Sequence, residues 1–445
     1  MEILNKDLVI IGAGPGGYEL ASNASKAGLN VALIEKEDLG GTCLNHGCIP
    51  TKTYFHYAKL VDATKKAFNQ DLKIDFNHLF NHKNEVIKTL NDGVKASLKQ
   101  VLVLNGEGKL VKENGEVLVK VNDTLIKAKS IVIATGSIEA KLDIKGSEYL
   151  IDARTLLDMD HLPSSISIIG GGVIGMEMAS ILNALGVNVN VIEYAPSILP
   201  RMDNDITRRL HNLFKQKGIN IFTKSLLKEI KKDSGGLTCL FEKDGESFNI
   251  NSEVVLCSIG RIPNVYNLGL EEVGIEYNKK GIITNEFLQT NISNIYAIGD
   301  VRGGIMLAHK ASYDAKVVLG HILGTAEKVN YDLIPSCCFT IPEVSTIGLS
   351  EEEATKLENY RIIKELYRAN GKAQAIGEVD GLVKIIISDD YIVGATIIGE
   401  EANLMIHEIA ILMNAKIKVS EAKNYIHAHP TLSEIIQKCL NGQNL

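Results

Sequence analysis

Two cysteines stand five positions apart in the stretch GGTCLNHGCIPTK, Gly40 to Lys52. Close pairs of thiols serve redox exchange, metal binding or plain packing, and their surroundings decide which. On one straight helix the rise alone would hold Cys43 and Cys48 about 7.5 Å apart. That exceeds the roughly 4.4–6.8 Å between the Cα atoms of a disulfide. A bond between them therefore needs a bend, and Asn45, His46 and Gly47 are residues that tolerate one. Pro50 suits the first turn of a helix, which puts Cys48 at a helix N-terminus, where the dipole favours a thiolate. A poised thiolate at 48 and a partner at 43 able to exchange with it form the design of a redox-active disulfide. Two buried free thiols, or half of a metal site, stay open as readings, although no second ligand pair of zinc-like spacing is visible.

The elements that must position this pair reveal themselves by repetition. Laying Gly12 on Gly170 places DLVIIGAGPGGYELASNASKAGLNVALIEKE over ISIIGGGVIGMEMASILNALGVNVNVIEYA. Each copy has an apolar strand run, G-x-G-x-x-G (Gly12, Gly14, Gly17; Gly170, Gly172, Gly175), a helical stretch, a glycine, a second apolar run and an acid. The acid, Glu35 or Glu193, falls 23 residues after the first glycine in both (35 − 12 and 193 − 170). Glycines permit the tight turn and close backbone approach, the helix N-terminus holds a pyrophosphate, and the carboxylate takes ribose hydroxyls. A lone G-x-G-x-x-G is often only a tight turn, but two copies in full context predict two dinucleotide sites. At the second, Glu193 would repel a 2′-phosphate, which favours NAD over NADP, with Arg201 eight residues on as an opposing charge.

Between the two copies the pattern predicts helices over 54–68 and 76–99, then a β-meander in GKLVKENGEVLVKVNDTLIKAKSIVIATGS with turns at Asn114-Gly115 and Asn122-Asp123. The pattern returns in LTCLFEKDGESFNINSEVVLCSIGR, so two domains of one build are expected. At about 150 residues per domain the length predicts roughly three domains. The 45% hydrophobic and 23% charged composition is that of a globular protein. Asp+Glu 54 against Lys+Arg 47 gives a net charge of −7 without a long basic block, which argues against nucleic acid as a partner. No apolar run approaches the roughly 18 residues of a membrane span, and the N-terminus enters DLVIIGAG without a leader. The chain is thus read as soluble and cytoplasmic, without a membrane partner. Its seven cysteines are odd in number and scattered, unlike a secreted disulfide framework.

With GGTCLNHGCIPTK placed shortly after Glu35, the chain resembles the pyridine nucleotide-disulfide oxidoreductases and, within them, the dihydrolipoamide dehydrogenases. The resemblance runs from Leu8 to about Glu434. It includes ATGS (Ala134, Thr135, Gly136, Ser137), GGGVIGMEMA, GRIPN from Gly260, TNISNIYAIGD ending at Asp300, LAHKA with Ala308, PEVSTIGLSE and HAHPTLSE. It implies an α/β fold with two Rossmann-like dinucleotide-binding domains, for FAD and NAD, plus a C-terminal α+β dimerisation domain. The expected boundaries are 1–142 for the FAD domain, 143–262 for the NAD domain, 263–330 for a central segment completing the FAD side, and 331–445 for the interface domain.

The resemblance also assigns residues. FAD would be held at Gly12, Gly14, Gly17, Lys52, Ala134, Thr135, Gly136 and Ala308, with Glu35 on the adenosine ribose and Asp300 on the ribityl and pyrophosphate side; a helix cap is the plainer role for Asp300. NAD would be held at Gly170, Gly172, Gly175, Glu193 and Gly260. Lys52 and Glu177 resemble an ion pair beside the flavin's reactive edge. His429, from the partner subunit, would be the acid–base group and Glu434 its orienting carboxylate; an imidazole so held keeps one tautomer and takes a thiol proton near neutral pH. The active site would then be shared across a homodimer. His427 is read as structural, and no metal is expected. The implied reaction oxidises protein-bound dihydrolipoamide through a Cys43–Cys48 disulfide and FAD, reducing NAD⁺ to NADH. With no lipoyl domain ahead of the first strand, the lipoyl group would come on another protein, of the 2-oxo acid dehydrogenase or glycine cleavage type.

Two departures and three rivals complete the reading. His46 stands where the family often has a small apolar residue; it is read as facing solvent, the alternative being a protonatable group that shifts the pair's potential. Cys337 and Cys338 sit on a strand with alternating faces and are read as packing residues. A glutathione-type reductase would share the disulfide but favour NADPH, against Glu193. A mercuric reductase would carry a C-terminal cysteine pair, where KCLNGQNL has Cys439 alone. A non-catalytic flavoprotein scaffold would have no need of Cys43, Cys48, Lys52, His429 and Glu434 together.

Overall fold

The computed structural model describes residues 2–70, 72, 74–325 and 327–442. The outer limits expected for the first and last domains, residues 1 and 445, lie outside the described residues. In the first unit the parallel strands run in the order Leu102–Asn105, Val31–Glu35, Glu2–Ile11, Thr124–Ile133. The apolar run from Leu8 to Ile11 is buried throughout, as parallel strands covered on both faces require. Strand Thr124–Ile133 does two jobs along its other edge: its first residues pair antiparallel with Glu116–Val121, its last pair parallel with Ile295–Ala297. Asn114 and Gly115 take φ +51° and +84°, the two positive values of a type I′ hairpin turn, so the Asn-Gly signal is met.

The second unit repeats the plan with strands Asn220–Phe222, Asn188–Ile192, Ser165–Ile169 and Val254–Cys257, all parallel. Its meander, Ser225–Asp233, Gly236–Lys243 and Glu246–Ser252, forms a separate sheet, because the chain breaks at Glu253 before entering the parallel sheet. The passages between the units, Ser137–Glu139 and Arg261–Pro263, pair antiparallel with each other. From residue 336 the chain builds an antiparallel sheet in the order Ser336–Cys338, Glu343–Gly348, Tyr391–Gly399, Leu382–Ser388, Arg361–Leu366, packed by helices Ala402–Asn414 and Glu434–Asn441. Among the described residues no helix is long and apolar enough to cross a membrane.

Helix Cys48–Phe68 begins at Cys48, as Pro50 in its first turn predicts, and runs through the stretch expected over 54–68; helix Phe76–Ser97 ends near its expected limit. One apolar core joins Tyr54 and Phe55 of the first helix, Met176 and Ile181 of helix Val173–Ala184, and Cys338 and Val344 of the C-terminal sheet. Each such buried side chain is worth about 1.5–3 kcal/mol. The core therefore fixes the cysteine-bearing helix against both the second unit and the C-terminal sheet.

Candidate active site

The two glycine turns have the same geometry. Gly12 takes φ +105° and Gly170 φ +104°, and a Cβ there would lie 2.4 Å from the Ala134 carbonyl oxygen and 2.6 Å from that of Ser258. A Cβ at Gly17 would stand 1.9 Å from the Gly12 carbonyl oxygen, and at Gly175 2.1 Å from that of Gly170, so each helix presses on its own turn. The middle glycines differ. Gly14 and Gly172 have ordinary φ values of −65° and −75°, and a Cβ on either would meet no atom of the described residues within 4 Å. Nothing among the described residues requires glycine at these two positions. A dinucleotide pyrophosphate in the open space before each helix N-terminus would, so the residues fit two such groups.

Both acids are fastened to their own turns. One Glu35 oxygen accepts the Ala13 amide at 2.7 Å and the other accepts those of Lys36 and Glu37 at 2.8 and 2.9 Å. Glu193 accepts the Gly171 amide on one oxygen and the Ala195 amide on the other. This holds each carboxylate at a strand end while leaving lone pairs for a sugar. Arg201 is exposed, in the segment whose Leu199 amide returns to the Gly171 carbonyl at 2.8 Å.

Three parallel strands of the first unit end together, at Gly12, at Ala134 and at Ile298. The Ala134 amide donates to Ile11 at 2.8 Å and the Ile298 amide to Ile133 at 3.0 Å. Asp300 lies in the short 3-10 turn Gly299–Arg302, where its carboxylate accepts the Ser137 hydroxyl at 2.7 Å. Ala308 opens the helix Ala308–Ile322. The Thr135 hydroxyl donates to the Asn264 carbonyl at 2.8 Å, the Asn264 amide returns to Gly136 at 2.9 Å, and Gly260 accepts the Ala140 amide at 3.0 Å. The GRIPN segment thus closes on the ATGS segment. Arg261 donates to the Ser137 hydroxyl and carbonyl, both at 2.7 Å, and pairs with Glu139. Ser137 and Arg261 stand within motifs the sequence displays, but nothing in the sequence joins positions so far apart.

The bend between the cysteines is at Gly47. Helix Gly41–His46 stops there (φ −141°, ψ −108°) and helix Cys48–Phe68 starts at the next residue. Buried Asn45 pins the first helix: its Nδ2 donates to the Leu39 and Gly41 carbonyls at 2.9 and 3.0 Å, and its Oδ1 accepts from Asn91 at 2.6 Å. Both cysteines are free thiols in this structure, and they are unlike. Cys43 has its pKa pushed up, by the hydrogen bond to Cys48 and then by burial. Cys48 is lowered to about 7, by the hydrogen bond from Cys43 and then by the Lys52 charge, against the opposing effect of burial.

Lys52, one helical turn after Cys48, bridges to the second unit. Its ammonium lies 3.0 and 2.9 Å from the two Glu177 oxygens and 4.2 Å above the Phe339 ring. Glu177 is 7% exposed and also accepts the Phe339 amide at 2.9 Å. The structure therefore gathers Cys43, Cys48, Lys52 and Glu177 at one seam, with Phe339 as a member no motif announced.

His429 and Glu434 form a second pair, with no hydrogen bond or ion pair to those residues among the described residues. The ring Nδ1 is 2.9 Å from Glu434 Oε1, and Oε2 accepts the Thr431 amide at 2.9 Å, which together hold the Glu434 carboxyl below its usual range. The imidazole is 77% exposed. His427 pairs instead with Glu408 at 2.6 Å, and no group of three or more metal-binding side chains occurs among the described residues. The expectation that His46 faces solvent is corrected: its side chain is only 19% exposed, its Nδ1 lies 3.9 Å from Asp158, and burial lowers its pKa. Its place on the helix face that packs against the segment after Leu157 explains this. Cys337 and Cys338 face different cores, as an alternating strand requires.

Residues 6–315 match the family described as pyridine nucleotide-disulphide oxidoreductase, and residues 334–440 match that family's dimerisation domain. The chain belongs to the pyridine nucleotide-disulphide oxidoreductases. Its relatives include dihydrolipoyl dehydrogenases of Bacillus subtilis (strain 168), one 36% identical over 97% of both chains and another 38% identical over 97% of this chain and 96% of that one. The dihydrolipoyl dehydrogenase of Staphylococcus aureus is 35% identical, covering 97% of this chain and 95% of the other. Among solved structures, the HOCl-induced flavoprotein disulfide reductase RclA from Escherichia coli superposes with TM-score 0.89 over 98% of this chain and 100% of that one, at 27% identity.

Proposed function

We propose that this chain is a dihydrolipoyl dehydrogenase, oxidising protein-bound dihydrolipoamide to lipoamide with reduction of NAD⁺ to NADH. Its cofactors are FAD and NAD(H), and its C-terminal dimerisation domain pairs it with a second copy. The carrying observation is the unlike thiol pair, with the lowered Cys48 beside the Lys52–Glu177 bridge at the seam of the two dinucleotide units. In the oxidised enzyme Cys43 and Cys48 form a disulfide. His429 of the partner subunit, oriented by Glu434, takes a proton from one dihydrolipoyl thiol, and the resulting thiolate attacks Cys43. The Cys43–Cys48 bond breaks, and Cys48 leaves as a thiolate stabilised by Lys52. The second substrate thiol then displaces Cys43, which takes up a proton, so the substrate loses two electrons and the cysteines gain them. Bound FAD supplies the two-electron transfer from the Cys48 thiolate to NAD⁺. The glycine turns with Glu35, and the turn of Asp300, would hold FAD; the second turn with Glu193 would hold NAD.

Its lipoyl-bearing partner is a component of a 2-oxo acid dehydrogenase or glycine cleavage system, and its place is the cytoplasm. The likeness to RclA favours a second reading, reduction of another disulfide. An anaerobic titration with dihydrolipoamide, then NAD⁺, separates the two. A long-wavelength thiolate-to-flavin band that forms with the dithiol and disappears with NAD⁺ supports the proposal. A flavin untouched by dihydrolipoamide but readily reduced by NADPH rejects it.

A further inference from the structure

Behind the Gly299–Arg302 turn lies a buried charge cluster that the proposed reaction does not use. Lys310 and Asp314, one turn apart on helix Ala308–Ile322, have side chains 2% and 0% exposed, with Nζ and Oδ2 2.8 Å apart. A pair this deep contributes little net stability, because desolvation of both charges offsets their attraction. Both members instead bind the backbone of one residue, on the two peptide units that flank its Cα. Asp314 Oδ2 accepts the Gly299 amide at 2.9 Å, and Lys310 donates to the Gly299 carbonyl at 3.3 Å. The other Asp314 oxygen accepts the Tyr331 hydroxyl at 2.6 Å. Arg302, closing the turn, donates to that same hydroxyl at 2.6 Å and to the Thr284 hydroxyl at 2.9 Å. Gly299 itself takes φ +71°, which only glycine adopts freely. The residue so placed next along the chain is Asp300, at the C-terminal ends of parallel strands, where ligands of α/β sheets bind.

We propose that Asp314, held by Lys310 and Tyr331, is a positioning residue for the flavin: with Lys310 it clamps the backbone on both sides of Gly299 and thereby sets where Asp300 presents its carboxylate. This rests on Asp300 as a ligand of FAD. Rotation about the clamped Gly299 backbone would carry the Asp300 carboxylate away from Ser137, so preorganisation is what the buried pair supplies.

The test compares the full-length holoenzyme with three variants. Lys310→Met/Asp314→Leu replaces the ion pair by apolar side chains; Arg302, whose Nη1 lies 3.6 Å from Asp314 Oδ2, keeps the Tyr331 and Thr284 hydroxyls as partners. Tyr331→Phe removes one hydrogen bond to Asp314, and Asp300→Ala removes the flavin-side carboxylate itself. FAD dissociation is followed by flavin fluorescence, the bound flavin by visible circular dichroism, and the apoprotein by its unfolding midpoint. The double variant should bind FAD about tenfold more weakly. It should also change the flavin's visible dichroism while the apoprotein midpoint stays near wild type, a combination a merely structural role would not produce. Tyr331→Phe should show the same change to a smaller degree. If Asp300→Ala weakens FAD and the double variant changes neither affinity nor dichroism, the clamp is overturned while the Asp300 reading stands. If Asp300→Ala binds FAD like wild type, that reading fails and the proposal with it. Should the double variant not fold, Tyr331→Phe decides, and wild-type affinity and dichroism there overturn the proposal.

Discussion

Cys48 shows how far one residue's chemistry depends on its neighbours. Its thiol is lowered to about 7 by Cys43 first and Lys52 second. Because the folded pKa is lowered, the thiolate is the dominant form above about pH 7 and is lost as pH falls through that value. In the two-electron-reduced enzyme the thiolate-to-flavin band should therefore grow through pH 7, which a spectrophotometric titration reads. Lys52→Met removes the positive charge that lowers it, and the midpoint should move up by about one pH unit; an unmoved midpoint would show that the Cys43 hydrogen bond sets it. The cysteines, Lys52 and the His429–Glu434 spacing are legible as residues. Asn45, Ser137 and Phe339 are not, because a polar or aromatic residue acquires its role only from a partner distant in sequence.

At the scale of elements, the glycine turns separate two reasons for glycine. Gly175→Ala would drive a Cβ to 2.1 Å from the Gly170 carbonyl oxygen, so the second unit's turn must open. Gly172→Ala has room and an ordinary φ of −75°, so the fold should keep its unfolding midpoint. NAD⁺ should nevertheless bind the Gly172→Ala enzyme about tenfold more weakly, since the new methyl occupies the space before the helix N-terminus. Flavin content should stay normal, because the first unit has its own turn. A titration of NAD⁺ binding beside a flavin-to-protein ratio checks both; parallel loss of flavin would mean that the units are not independent. The repeat, the Asn-Gly turn and both glycine motifs are legible because local backbone needs dictate them. The start of helix Cys48–Phe68 is legible only through Pro50 in its first turn, since that turn carries no apolar stripe.

At the scale of the molecule, two observations join the units. Lys384, fully buried on the C-terminal sheet, lies 2.7 Å from Asp203, 2.6 Å from Asp205 and 3.0 Å from Glu351, so carboxylates of the second unit and of the C-terminal region share one ammonium. Lys384→Met leaves the buried Asp203 without its cation, while Asp205 and Glu351 keep Lys364 at 2.8 and 3.3 Å, and should cost about 3 kcal/mol. Calorimetry of the holoenzyme should show a clearly lower midpoint; an unchanged one would mean that solvent already screens the cluster. The second observation is that His429 is 77% exposed, with no hydrogen bond or ion pair to its own chain's cysteines among the described residues. If His429 serves the partner, mixing inactive Cys48→Ser and His429→Gln subunits should restore about a quarter of wild-type activity, from one intact site in each mixed dimer. No recovery would place both groups in one chain's site.

The sequence by itself determined the chemistry on offer and the units that carry it: a thiol pair across a bend, two dinucleotide turns each with its acid, and a histidine with its carboxylate. These are local patterns, in which spacing along the chain is spacing in space. Tertiary structure alone decided that Lys52 meets Glu177 and Phe339, that His46 turns to Asp158, and that Lys310, Asp314 and Tyr331 converge on Gly299. Each of these contacts joins separate elements, and their meeting is set by how the elements' apolar faces pack, which no short stretch of residues encodes.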